Sequence, residues 1–126
     1  MTLLSLSASR TGLWLAGTGT GPEAEIAGRL AALPAGSPVV VMVHGKGYCP
    51  GSESHDPHRL ILAARAGHGR SRHVSWPRRL GFALPGPRQA LGLCIGFGWD
   101  SRGKLWRAAA EADAMAPMLA RLVHLV

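Results

Sequence analysis

Val39-Val40-Val41-Met42-Val43, followed by His44-Gly45-Lys46-Gly47-Tyr48, is the stretch on which the fold turns. Five apolar residues, four of them β-branched, lie between Pro38 and a glycine-rich exit. β-Branched side chains favour extended backbone, and a strand apolar on both faces suits a parallel sheet covered on each side. The run therefore predicts a buried parallel strand. His44 to His58 reads as a long loop rich in Gly, Pro and Ser, leaving the strand's C-terminal edge.

Upstream, Thr2 to Ala8 alternates, with Leu4, Leu6 and Ala8 on one face and Ser5 and Ser7 on the other. That is strand period. Arg10-Thr11-Gly12 turns the chain, and Leu13 to Ala16 reads as a second strand, giving an antiparallel start. Pro22 opens a helix with Glu23 and Glu25 in its first turn, where the helix dipole favours acids. Ile26, Leu30 and Leu33 share its inner face, and Pro34-Ala35-Gly36 ends it.

Downstream, Asp56-Pro57 signals a short helix to about Ala66, with Leu60, Ile61 and Ala64 inward. Residues 67–72 read as a polar connector. His73 to Trp76 reads as a short strand stopped by Pro77. Leu91 to Phe97 is apolar but broken by Gly92 and Gly96, and fits either an extra strand or a covered loop. A long helix is expected over Lys104 to Leu119, with Leu105, Ala109, Ala112, Met115 and Leu119 as its inner stripe. Pro117 stands where it would kink or shorten that helix. Val123 to Val126 reads as a further buried strand. The alternation predicts an α/β fold: a mostly parallel sheet, helices on both faces, antiparallel strands at the start. The length, 126 residues, allows one domain at most.

A strand ending in His-Gly with a glycine loop resembles the oxyanion-loop region of the α/β-hydrolases. Ser75 to Phe82 is similar to that family's next short strand and its arginine-glycine turn. The long helix leading into Val123 to Val126 is similar to the approach to the nucleophile elbow. The resemblance spans residues 39–126. The helix after Pro22 and the Leu91 to Phe97 segment depart from it. It implies a serine hydrolase acting on a small acyl substrate, with no cofactor and no metal. His44, Gly45, Lys46, Gly47 and Tyr48 would form the substrate loop, and the Lys46 N–H would be the oxyanion donor, with Gly47 next in line. No serine here fits G-x-S-x-G: Ser52 lacks the second glycine and Ser101 lies outside the pattern. In that family the nucleophile, acid and histidine come after the strand expected at Val123, so no catalytic residue is assigned. The resemblance implies an incomplete domain, inactive alone, ending just before its elbow.

Other chemistries fare worse. Cys49 with His55 or His58 would make a nucleophile pair, but the residues read as a loop thiol without an activated base. His55-Asp56-Pro57-His58 offers donors without a fourth ligand or a defined geometry. The glycines at residues 17–21 lack the Gly-Lys-Ser/Thr ending of a phosphate loop. Trp14, Trp76, Trp99 and Trp106 lie in apolar segments and read as core or pocket wall.

The formal charge is +7, and twelve of the fourteen basic residues are Arg. No acid lies between Asp56 and Asp100, where Arg59, Arg65, Arg70, Arg72, Arg78, Arg79 and Arg88 fall. A non-enzymatic module for an anionic partner is the alternative function. Nucleic acid is disfavoured, because no interleaved aromatic motif accompanies the charge. Two cysteines make no disulfide framework and fit a reducing, cytoplasmic setting. No uninterrupted run of about 18 apolar residues exists, so no membrane span is expected. An incomplete sheet would expose an edge open to self-association.

Overall fold

The structure is a computed structural model that describes residues 3–65, 73–84, 86–88 and 90–126. The connector at 67–72, with Arg70 and Arg72, and the side chain of Arg88 lie outside the described residues.

Four strands form one mixed sheet, in the order β2-β1-β4-β3. β1 (Leu3–Ser9) turns into β2 (Gly12–Leu15), its antiparallel neighbour. α1 (Glu23–Ala31) leads to β3 (Val39–Val43), and β4 (Leu93–Gly98) inserts between β1 and β3, parallel to both. The expected α/β class and antiparallel start are present, but β3 is an edge strand in which Met42 is buried and Val43 exposed, and not the buried strand expected from its apolar run.

β4 is the centre of the sheet, and all six of its residues are buried. Of the two alternatives for Leu91 to Phe97, the strand is the one observed. The glycines that interrupt its apolar pattern are a packing requirement. A Cβ on Gly98 would lie 2.5 Å from His58 Nε2, and one on Gly96 would lie 3.3 Å from the Leu62 side chain. Bare backbone at these positions lets the covering segment press against the sheet.

The expectation of helices on both faces needs correction. Ile26 of α1 and Met115 and Leu122 of α3 (Leu105–Leu125) join one core, with Leu4, Leu6, Ile95 and Phe97. The long helices therefore share a face. The opposite face, with Leu3, Met42 and Cys94, is covered by Ile61, Leu62 and Phe82 from the β3-to-β4 connection. Handedness explains the division. From β1 the chain moves two places across the sheet to β3, then steps back to β4. A right-handed crossover in each direction puts the two connections on opposite faces.

That connection is mostly irregular. Residues after Asp56 make turns in place of the expected helix, with Leu60 N–H bonding the Asp56 carbonyl at 3.1 Å and Leu62 N–H the Pro57 carbonyl at 2.8 Å. The strand expected over His73 to Trp76 is absent. Ser75 instead caps α2 (Trp76–Arg79), its Oγ accepting from Arg78 N–H at 3.3 Å. Pro77 stands in the first turn, where a missing N–H costs nothing. Gly86–Arg88 form one 3-10 turn.

α3 continues through Pro117 to Leu125, so the strand expected over Val123 to Val126 is helix for all but its last residue. Its buried stripe is Ala108, Met115 and Leu122. Of the expected stripe, Met115 is buried and Leu119 packs against the core, but Leu105 is 71% exposed and Ala109 and Ala112 face solvent. An Ala-rich helix has few bulky residues to mark its inner face. Trp14, Trp76 and Trp106 are likewise exposed, and only Trp99 among the four is buried. Among the described residues no helix is long and apolar enough to cross a membrane.

Candidate functional site

β3 and β4 are adjacent and parallel, yet their C-terminal ends lead to opposite faces: β3 into the covering connection, β4 into α3. Divergence of this kind marks the strand ends at which ligands bind in open α/β sheets. His44 to Tyr48 and Trp99 to Ser101 form two walls at that edge, hydrogen-bonded directly to each other.

His44 is 3% exposed and fixed at both ring nitrogens. Nδ1–H donates to the Gly45 carbonyl at 2.8 Å, and Nε2 accepts from the Trp99 N–H at 3.0 Å. The Trp99 indole N–H donates to the His44 carbonyl at 3.2 Å, and the two rings stack with centroids 5.5 Å apart. Burial pushes the His44 pKa below its ordinary value. A proton on Nε2 would also face the Trp99 N–H. The side chain is therefore a neutral brace for the loop, in contrast to the solvated histidine of an ordinary loop.

Ser101, fully buried, completes the lock. Its Oγ accepts from Tyr48 N–H at 3.0 Å and donates to the Gly45 carbonyl at 2.8 Å. Its backbone N–H bonds the Tyr48 carbonyl at 2.8 Å, and its carbonyl takes the Gly47 N–H at 3.0 Å. Gly47 has φ +105°, a conformation that a side chain disfavours. The Tyr48 ring packs on His44, centroids 5.1 Å apart.

The five loop residues read from the sequence are thus brought together, but they differ in what they offer. Gly47 N–H is committed to Ser101. Lys46 is exposed, and its N–H has no acceptor among the described residues. Beside the strand ends lies an apolar cavity of about 180 Å³ lined by Val43, Phe97, Trp99, Met115 and Leu119 among others. Asp100 is gripped by Arg102 at 3.0 Å and Arg107 at 3.4 Å, and Arg102 foremost holds its carboxyl below the usual range.

Sequence reasoning missed the second wall. Trp99-Asp100-Ser101 follows the apolar segment Leu93–Gly98 just as His44-Gly45 follows Val39–Val43. That parallel was the available signal, hidden by reading the β4 glycines as breaks.

The remaining candidates separate. Cys49 Sγ donates to the Pro50 carbonyl at 3.7 Å and lies within reach of Asp100 and Arg102, and burial foremost, with Asp100 next, raises its pKa. His55 Nδ1 pairs with Ser54 Oγ at 2.7 Å. His58 lies under the sheet, with Nε2 3.2 Å from Ser7 Oγ and a buried Nδ1 that has no partner among the described residues. Among the described residues no cluster of His, Cys, Asp or Glu is placed to hold a metal.

No protein family, no curated protein and no solved structure matches this chain.

Proposed function

We propose that this chain supplies the oxyanion-loop part of an α/β-hydrolase-type domain, a serine hydrolase acting on an ester or related acyl bond. The observation that carries the reading is the Lys46 N–H, without an acceptor among the described residues, at the diverging ends of two parallel strands. The loop presenting it is locked by His44 and Ser101. Preorganisation of that kind is what an oxyanion donor requires, because charge reaches the carbonyl oxygen only in the transition state. Gly47, with its N–H occupied, drops out as a donor.

The apolar cavity between the strand ends and α3, smaller than the roughly 300 Å³ of typical ligand pockets, suits a short acyl chain. The two free thiols fit a reducing, cytoplasmic setting. With no G-x-S-x-G serine among its 126 residues, the chain by itself turns over no ester. A second reading, a non-enzymatic module for an anionic partner, draws on a separate observation: Arg65, Arg78 and Arg79 line one groove, and none of them forms an ion pair among the described residues.

Purified chain with p-nitrophenyl acetate should show no turnover above buffer. Turnover abolished by a serine-directed inhibitor would place a nucleophile inside these residues and overturn the assignment. Butyrate, which offers an oxyanion to the donor and a short chain to the cavity, should shift the Lys46 amide resonance of the chain, and Lys46→Pro, which deletes the donor, should weaken its binding. An unshifted Lys46 amide at high millimolar butyrate would sink the donor assignment.

A further inference from the structure

A groove of about 550 Å³ lies on the face away from the long helices, lined by Arg65, Val74, Ser75, Arg78, Arg79 and Leu84. Three arginines converge on it, and all three are exposed. Among the described residues the ion pairs engage Arg10, Arg29, Arg102, Arg107 and Arg121, and none engages these three. Arg65 also borders a second groove, with Glu53, Asp56 and Arg59, but among the described residues neither carboxylate forms an ion pair with it. The absence of acids between Asp56 and Asp100 leaves no carboxylate within this stretch of chain to neutralise the site.

Two of the arginines are placed by local structure. Ser75 fixes α2 by accepting from Arg78 N–H at 3.3 Å and anchors the turn to the Ala63 carbonyl at 2.6 Å. The Arg79 N–H bonds the Ser75 carbonyl at 3.2 Å. Trp76 N–H reaches the Ile61 carbonyl at 2.8 Å, and Pro77 is buried beneath. Arg78 and Arg79 therefore project from a turn tied at several points to the segment that carries Arg65. Guanidinium charge is permanent, so like charges gathered here repel unless an anion joins them.

We infer that this groove binds a phosphate monoester carried on a small organic molecule. A phosphate dianion has three oxygens to distribute among three guanidinium forks, whereas a carboxylate has two. Val74 and Leu84 give the organic part an apolar wall. Among the described residues no aromatic side chain lines the groove, which gives a single-stranded nucleic acid no stacking platform there. The inference is independent of the hydrolase reading, since the groove lies on another segment and uses none of the oxyanion-loop residues.

The test is calorimetric titration of the purified chain with phenyl phosphate and with inorganic phosphate, at low and at moderate salt. Phenyl phosphate should bind more tightly than inorganic phosphate, and weaken with salt. Arg78→Gln/Arg79→Gln, and separately Arg65→Gln, should each weaken it by about tenfold or more while melting like the parent. Arg121→Gln, on α3, should bind as the parent does. No heat with phenyl phosphate at millimolar concentration would overturn the proposal. So would equal loss in Arg121→Gln, which would mark a response to net charge. A gel shift with a single-stranded oligonucleotide, lost in the double variant while phenyl phosphate fails to bind, would assign the groove to nucleic acid instead.

Discussion

Trp99 and His44 are joined twice: the Trp99 backbone N–H donates to His44 Nε2 at 3.0 Å, and its indole N–H donates to the His44 carbonyl at 3.2 Å. One residue thus holds both the side chain and the main chain of the other, across the ends of two adjacent strands. His44→Ala leaves the buried Trp99 N–H without an acceptor and removes a stacked ring. The expected loss of unfolding free energy in urea is about 2–4 kcal/mol. Trp99→Phe removes only the indole donor and should cost less. Each hydrogen bond joins a side chain of one residue to the main chain of the other, so each is lost in one single variant whatever stands at the second position, and only the stacked rings can couple. A double-mutant cycle should therefore be additive to within about 0.5 kcal/mol. Coupling well above that would show that loss of one residue releases the other.

Ser101→Ala tests the other half of the lock. It removes the acceptor for Tyr48 N–H and the donor to the Gly45 carbonyl in a fully buried place. The cost should be about 1–3 kcal/mol. Amide exchange should localise it. The Tyr48 N–H should exchange faster, while Gly47 N–H, bonded to the Ser101 backbone carbonyl, should keep most of its protection. Equal loss of protection at both would mean that the loop detaches as a whole.

What could be read from the sequence followed from how strongly local pattern determines backbone. Alternation in β1 and the β-branched run of β3 were legible because strand period and β-branching act within a few residues. β4 was ambiguous because its glycines answer to Leu62 and His58, partners more than 30 residues away. The error at His73 to Trp76 has a local cause: Val74 and Trp76 suggest a strand, but the Ser75 cap and Pro77 favour a helical turn. The last turn of α3 was misread for a similar reason, as Val123, Leu125 and Val126 look extended in isolation. Helix propagated from the Ala-rich segment overrides that preference. At the site, the His44 loop was legible and Trp99-Asp100-Ser101 was not, because its importance lies in bonds to a loop 53–56 positions away.

Gly98→Ala should expose the close approach of the covering segment. The new Cβ would stand 2.5 Å from His58 Nε2 and 3.0 Å from Pro50 Cγ. Overpacking of this kind should cost about 1–3 kcal/mol in urea unfolding. Most of the conflict is with the imidazole. In a His58→Ala background the same substitution should therefore cost less than half as much. An undiminished cost there would point to Pro50 or to the strand backbone.

The thiols should separate by reactivity. Cys94 is fully buried on the sheet, its Sγ 3.6 Å from Met42 Sδ, and burial pushes its pKa up to about 11. Cys49 is only partly buried. With an aromatic disulfide reagent at pH 8, one thiol should react per native chain, and Cys49→Ser should abolish that phase. Cys94 should react only as fast as the chain unfolds. Rapid modification of both would contradict the packing of the β4 face.

Acid should weaken the fold before any carboxylate is protonated. Burial, the leading cause at both His44 and His58, pushes their pKa values below the ordinary 6.5, with Asp56 partly opposing the shift at His58. The unfolded chain, with ordinary imidazoles, then binds protons that the native chain refuses. Stability is therefore complete above about pH 6.5 and falls as the pH drops from there towards the depressed native values. The paired carboxylates Glu23, Asp100 and Glu111 are also depressed, but their contribution is lost only below about pH 4.5, where unfolded carboxylates begin to protonate. Between pH 7 and pH 5, then, the slope belongs mainly to the histidines. The urea midpoint should decline across that interval. His58→Gln should flatten the decline, because it keeps a polar group near Ser7 and removes the titration. A midpoint constant from pH 7 to pH 5 would show that both imidazoles accept a proton in the native fold, and that neither is buried as neutral support.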